Sequence, residues 1–269
     1  MNKVGVCLTK TSSLKDIIPL LIKTIPNSFL VKNIEDAKIC DLLFVIGPPT
    51  KNYSFRMDLS SLNIPKFFVD CGIFKENSYI FGFNGVKGNA KYFLKSLNKY
   101  NYLNRMKTWR KDLKTSKRVL VLLHNSGGFC TSYGLTRQNV LDDIDFLVKN
   151  NSDYNFIFKC HPKDKSFKFS KTTNKPLDYL FEKGNFKCCV GWHTNACIKA
   201  IYNGIPCHIL DENSLVYKYS TDIKNPKYFD RFKLFNDIFS IEWSIQTIKE
   251  QFDIIIISFI NIIIIEFFI

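Results

Sequence analysis

No disulfide framework can be drawn through this sequence. Its 269 residues carry nine cysteines, an odd number, at spacings that match no paired scaffold. No leader pattern precedes the first apolar run, because Lys3-Val4-Gly5-Val6-Cys7-Leu8 already has the character of a strand. Reduced thiols and a cytoplasmic location are the expectation. No zinc spacing occurs either. Cys160 and Cys188-Cys189 stand near His161 and His193 in the sequence, but their intervals fit no tetrahedral set, so neither metal nor bound cofactor is expected. No repeat of fixed period is present, which excludes a solenoid. Acid is scarce: 24 Asp and Glu against 38 Lys and Arg leave a net charge of +14. A basic surface favours anionic partners such as nucleic acid, phosphorylated donors or an acidic membrane. The lysines are scattered rather than gathered in a stripe, as codon usage in an A/T-rich gene would also produce.

What is present is a succession of short apolar runs bounded by turn residues. In the first half these are Val4 to Leu8, Phe29 to Val31, Leu42 to Ile46 and Lys66 to Asp70. Ser12 or Ser13 is the expected cap of a helix over Ile17 to Ile22, with Pro19 delaying or kinking its start. Residues 92–117 are polar, aromatic and basic. Arg118 to Leu123 then restarts the pattern. An amphipathic helix follows over Thr136 to Val148, with Val140, Ile144, Phe146 and Leu147 as its apolar face and Asp142, Asp143 and Asp145 mostly outside. Phe156 to Phe158, Phe186 to Val190 and Ile205 to Leu210 are further strands, and Leu177 to Phe181 a short helix. The expected fold class is α/β, with mostly parallel sheets covered on both faces. It divides into two Rossmann-like lobes: 1–91, a crossover at 92–117, and 118–249. The Ile-rich tail, 252–269, approaches the length of a membrane span yet contains Asp253, Asn261 and Glu266. A membrane anchor, a buried or aggregation-prone tail, and a stretch foreign to the domain all remain open for it.

Ligands of open α/β sheets bind outside the carboxyl ends of strands. The second half offers three polar strand ends. After Leu123 comes His124-Asn125-Ser126-Gly127-Gly128, where two glycines allow backbone N–H groups to approach a phosphate. After Phe158 comes Lys159-Cys160-His161-Pro162-Lys163-Asp164, where an imidazole and an ammonium group could neutralise a leaving diphosphate. After Val190 comes Gly191-Trp192-His193-Thr194-Asn195. Thr194 or Asn195 is the expected N-cap of a helix ending at Asn203-Gly204, and its dipole favours an anion. Each element also has a plain structural reading: a turn, a surface loop, a cap. Three together at one end of one half point to an anion site.

His161-Pro162, followed by His193-Thr194-Asn195 and Asn203-Gly204-Ile205-Pro206, resembles the GT-B type glycosyltransferases. The nearest likeness is to capsular-polysaccharide, CDP-glycerol glycerophosphotransferase and bacterial sialyltransferase-like groups. Trp109-Arg110, the Val119 to Gly128 strand and loop, and His161 to Asp164 also look like virus- or phage-encoded relatives. The resemblance covers Lys117 to Leu210 and reaches the first half only by pattern. It implies two lobes with a cleft between them, the second of which binds a nucleotide-diphosphate sugar as co-substrate without metal. The acceptor would be a polysaccharide, another glycan or DNA.

On this reading His161, Pro162, Lys163, His193, Thr194, Asn195 and residues 125–128 (Asn125, Ser126, Gly127, Gly128) surround the donor phosphates. Asp70, at the end of the KFFVD strand, is the expected base, although it also suits a turn; Asp58 and Glu76 are weaker choices. The chain departs from the pattern at Lys199, where an acid is common, and Asp211 or Glu212 is the expected substitute. Thr9-Lys10-Thr11-Ser12-Ser13 replaces the glycine-rich turn after the first strand. A nucleotide-sugar-binding protein without activity, or a protein that binds or modifies nucleic acid, are the alternatives.

Overall fold

The computed structural model describes residues 3–7, 14, 16–47, 58–59, 61–74, 78–85, 90–92, 105–124, 136–162, 164 and 167–251. The calls on residues 125–128, Lys163, Glu76, Ser12, Ser13 and the tail 252–269 lie outside these residues. The chain forms two compact units. One holds the described residues of the first 97 together with those from Asp237 onward, and the other those of 98–236. This differs from boundaries drawn on composition, because the stretch just beyond Asp237 builds onto the first sheet.

The first unit contains strands β1 (Val4–Cys7), β2 (Ser28–Val31), β3 (Leu42–Ile46), β4 (Lys66–Cys71), β5 (Ser78–Phe83), β6 (Lys91–Tyr92) and β11 (Glu242–Ser244). They form one sheet in the order β11-β5-β4-β3-β1-β2, with β6 also paired to β5. β1 to β4 are parallel; β5, β6 and β11 enter by antiparallel pairing. That antiparallel extension was not anticipated. Side chains alternate between two cores, as a period of two requires. Val4, Val6, Phe44, Ile46, Phe67 and Val69 pack with helix α1 (Ile17–Thr24), while Cys7, Val31, Leu43, Val45 and Phe68 pack with α2 (Ile34–Lys38). α1 starts at Ile17 after Asp16. Pro19 therefore falls in the first turn, where an amide has no partner four residues back. Phe44, Phe67 and Phe83 stand opposite one another on β3, β4 and β5, with ring centroids 5.1 Å apart at each step.

The second unit has β7 (Arg118–Leu122), β8 (Asn155–Lys159), β9 (Cys188–Gly191) and β10 (Cys207–Ile209), all parallel, in the order β10-β9-β7-β8. Helices α3 (Arg137–Asn150), α4 (Leu177–Lys183) and α5 (Asn195–Tyr202) form the connections. Thr136 caps α3 in a reciprocal box with Asn139. Val140, Ile144 and Leu147, at helical spacing, enter the core with Val119, Val121, Phe156 and Val190. Phe146 does not, contrary to expectation: it lies outside that spacing and is 73% exposed. From the second unit the chain enters the first within α6 (Phe232–Ile241). No helix among the described residues is long and apolar enough to cross a membrane.

Candidate active site

In the second sheet β7 is followed by β8 on one side and by β9 on the other. The connections diverge there, which makes the carboxyl ends of β7 and β9 the topological switch point, where ligands of open α/β sheets bind. Two histidines flank it. His124 lies two residues beyond β7 and His193 two beyond β9, both buried, with ring centroids 5.4 Å apart. Trp192, wholly buried, sits edge-on to His124 at 5.6 Å and donates its indole N–H to Asp143 Oδ2 at 2.9 Å. That bond turns Asp143 inward, correcting its expected outer position.

His193 Nδ1 is hydrogen-bonded to Asp211 Oδ2. Asp211, two residues beyond β10, is itself buried, and its Oδ1 accepts from the Asn213 amide at 2.8 Å and the Asn213 side chain at 3.1 Å. Burial pushes the Asp211 carboxyl upward, but the bonds from His193 and Asn213 outweigh it and hold the group below its usual pKa. The carboxylate on Nδ1 fixes the orientation of the buried His193 ring. Asp211 was expected to contact a ligand directly; its geometry is that of a group orienting His193. Glu212 beside it is exposed.

Helix α5 begins beside this pair. Thr194 is its N-cap, as expected, and its hydroxyl accepts from the Ala196 amide at 3.2 Å, while its carbonyl accepts from Cys197 at 3.0 Å. Thr194 thus satisfies two first-turn donors, so its hydroxyl is already committed to the cap. Asn195 is the first helical residue. The helix ends at Asn203-Gly204, as expected, with Gly204 at φ 78°. A side chain there would meet the Thr108 carbonyl, which accounts for glycine. Gly204 O accepts from Arg110 N, Tyr202 O from Lys107 N, and Ile201 O from the Arg231 guanidinium. Arg231 also stacks on Trp109 at 4.0 Å. Trp109 and Arg110, noted for their resemblance, therefore fasten the C-terminal end of α5.

Small residues let α5 approach the sheet. A Cβ on Gly191 would stand 2.5 Å from Cys197 Sγ and 3.2 Å from the Leu122 carbonyl. Cys188 and Cys189 lie within β9 and are fully buried, and burial raises the Cys188 thiol well above its usual pKa. They are core residues and do not join the histidines at the strand ends. Among the described residues no group of three or more metal-binding side chains occurs.

His161 lies at the same edge, two residues beyond β8, which pairs with β7; Leu123 N donates to Lys159 O at 3.0 Å. His161 is half-buried. Its carbonyl accepts from Asp164 N at 2.9 Å, closing a turn with Pro162 at the second position. Asp70 belongs to the other unit, at the carboxyl end of β4, and its Oδ1 accepts from the Cys71 amide at 2.7 Å. Beyond Asp70, Phe74 N and Ser78 Oγ both donate to Glu242, a buried carboxylate on β11. Glu242 had not been singled out, since its partners lie over 160 residues away.

No protein-family profile matches the sequence, and no curated protein matches it. Solved structures do, among them two that share the fold over most of both chains. The β-Kdo 2,7-transferase domain of KpsC from Thermosulfurimonas dismutans superposes with a TM-score of 0.59 at 14% identity, over 88% of this chain and 90% of that one. The β-Kdo 2,4-transferase of the same organism's KpsC gives 0.55 at 12% identity, over 88% and 89%. The likeness is one of fold. At this identity it establishes an α/β architecture with parallel-rich sheets shared with a sugar transferase.

Proposed function

We propose that this chain is a glycosyltransferase of GT-B type, or a related phospho-alcohol transferase, using a nucleotide-diphosphate donor and a hydroxyl acceptor. The observation that carries this reading is the carboxyl edge of the second sheet. At its switch point His124, His193 with Asp211, and the start of α5 converge, with the His161-Pro162 turn on the adjoining strand. The two KpsC domains, transferases by name, support it through shared fold over most of the chain.

In the reaction the acceptor O–H attacks the sugar carbon bonded to the donor phosphate. The C–O bond to phosphate breaks, and its electron pair stays on the departing diphosphate. His161, with Lys163, and the dipole of α5 stabilise that charge, a role that calls for no metal ion. His193, held by Asp211, lies buried at the same edge. Asp70 is the proposed base for the acceptor proton. The acceptor is a glycan, with DNA as the alternative that the net charge of +14 keeps in view.

The test is transfer or donor hydrolysis with a panel of UDP, CDP and GDP donors. His161→Ala should lower kcat/KM by about 10²-fold or more, the scale of a lost transition-state donor. Turnover unchanged by that substitution would overturn the assignment. Nucleotide-induced stabilisation without turnover would instead make the chain a binding protein. Salt-dependent DNA binding alone would make it a nucleic-acid protein.

A further inference from the structure

A second concave site lies along β8 and α4 of the same unit. Its lining includes Arg118 and Asn155, the first residues of β7 and β8, with Lys171 to Thr173, Lys175, and Tyr179 and Lys183 on α4, around about 460 Å³. That volume is within the range of small-ligand pockets, about 300 to 1,000 Å³. The groove reaches back to the first residues of β7 and β8, and its lining includes none of His124, His161 and His193, so it is separate from the candidate active site. The segment 171–173 forms one wall by running alongside β8: Thr172 bridges Phe158, Phe158 N donates to Lys171 O, and Thr173 N donates to Phe158 O.

Its chemistry is one-sided. Four cations line it and, among the described residues, no carboxylate does. Two are set in place by neighbours: Lys171 Nζ donates to Asn155 Oδ1 at 2.7 Å, and the Arg118 guanidinium lies 5.0 Å from the Phe186 ring. Lys175 stands 5.3 Å from the ring of Tyr179, which is half exposed. Lys183 is balanced by Glu182, which lies outside the lining. The Thr172 and Thr173 hydroxyls and the Asn155 amide add neutral polar groups. Nucleic-acid strands are gripped by successive exposed rings. Here one ring is exposed while Phe186 is buried, so stacking of several bases has no platform. A chain of hydroxyl-bearing rings with spaced carboxylates matches a single ring, three neutral polar side chains and a row of cations.

We propose that this groove binds an acidic oligosaccharide, holding an anionic glycan away from the reaction edge. The choice of a glycan rests on the transferase reading; the binding site itself does not require turnover.

The experiment measures binding of an oligogalacturonate to the full chain by calorimetry, beside a neutral dextran oligosaccharide and oligo(dT). Wild type should bind the acidic glycan with affinity that falls as salt rises, and bind neutral dextran at least about tenfold more weakly. Lys171→Glu with Lys175→Glu should lower acidic-glycan affinity at least about tenfold. Lys149→Glu with Lys218→Glu, exposed residues outside the groove, gives the same charge change and should lower it less than about threefold. Equal losses in the two variants would reduce the effect to net charge and overturn the proposal. Absence of oligogalacturonate binding, or oligo(dT) binding lost on the groove substitutions, would also overturn it. A parallel thermal shift with UDP and CDP separates the outcomes: a nucleotide response retained in the groove variant leaves the transferase reading standing when the groove fails.

Discussion

The two sheets share a strand order and fill it differently. β4-β3-β1-β2 in the first unit and β10-β9-β7-β8 in the second are the same four-strand pattern, each reversing direction between its first and third strands. In the first sheet the row Phe44, Phe67, Phe83 crosses three strands as aromatic rings packed at a tilt. In the second, the row across β10, β9, β7 and β8 is Cys207, Cys189, Leu120 and Ile157, small on its first two strands, and Gly191 closes β9. Large rings hold neighbouring layers apart; small residues let a helix backbone close in. The second sheet thereby brings the N-terminus of α5 against the ends of β7 and β9, where the polar strand ends gather. The same topology yields an aromatic core in one unit and a histidine-bearing edge in the other.

The most severe test of this contrast exchanges size for cavity. Phe67→Ala should cost about 4 kcal/mol, because a buried ring leaves a void that its neighbours cannot fill. Cys207→Ala in the matching strand should cost less than about 1.5 kcal/mol, the thiol acting as a small apolar group. Urea unfolding of both variants compares them, and equal losses would erase the distinction. Gly191→Ala comes next, at about 2 kcal/mol, from overpacking against Cys197. Adding Cys197→Ala should recover at least half of that loss if close approach of α5 is the cause. No recovery would mean that the Leu122 carbonyl is the real obstacle.

Asp211→Asn should cost about 1 to 2 kcal/mol at neutral pH by weakening a buried, charge-assisted bond. Its pH dependence gives a second check. The Asp211 carboxyl has a lower pKa folded than unfolded. Its contribution is therefore complete above the unfolded value near 3.8 and disappears as pH falls through the folded value. Acid denaturation should be less steep below about pH 4 in the variant than in wild type. Identical acid limbs would place the low-pH instability elsewhere. Asp143→Ala is the mildest, about 1 kcal/mol from the lost Trp192 bond, visible as a shift in tryptophan fluorescence.

Much of this arrangement was legible because it is local. Leu42 to Ile46 forms β3 over the expected residues, Thr194 caps α5, and Asn203-Gly204 ends it, each from signals within a few positions. What escaped is non-local. β5 is a plain apolar run, yet nothing within it states that its partners are β4 and β11, or that Glu242 reaches back to Phe74 and Ser78. Phe146 misled because apolar character was counted without its angle around the helix. Asp211 and His193 were both noticed as strand-end residues, but their bond depends on β9 and β10 being neighbours in parallel register. Strand order is a property of the assembled sheet, and periodicity along the chain carries no record of it.

The central claim is that the carboxyl edge of the second sheet binds the donor's phosphates. Calorimetric titration of CDP and UDP against wild type and His161→Ala tests it without requiring an acceptor or turnover. The account predicts that at least one nucleotide binds wild type and that the substitution weakens it by about tenfold, the worth of one charge-assisted hydrogen bond. Binding of equal strength to both proteins, with both folded, would contradict it.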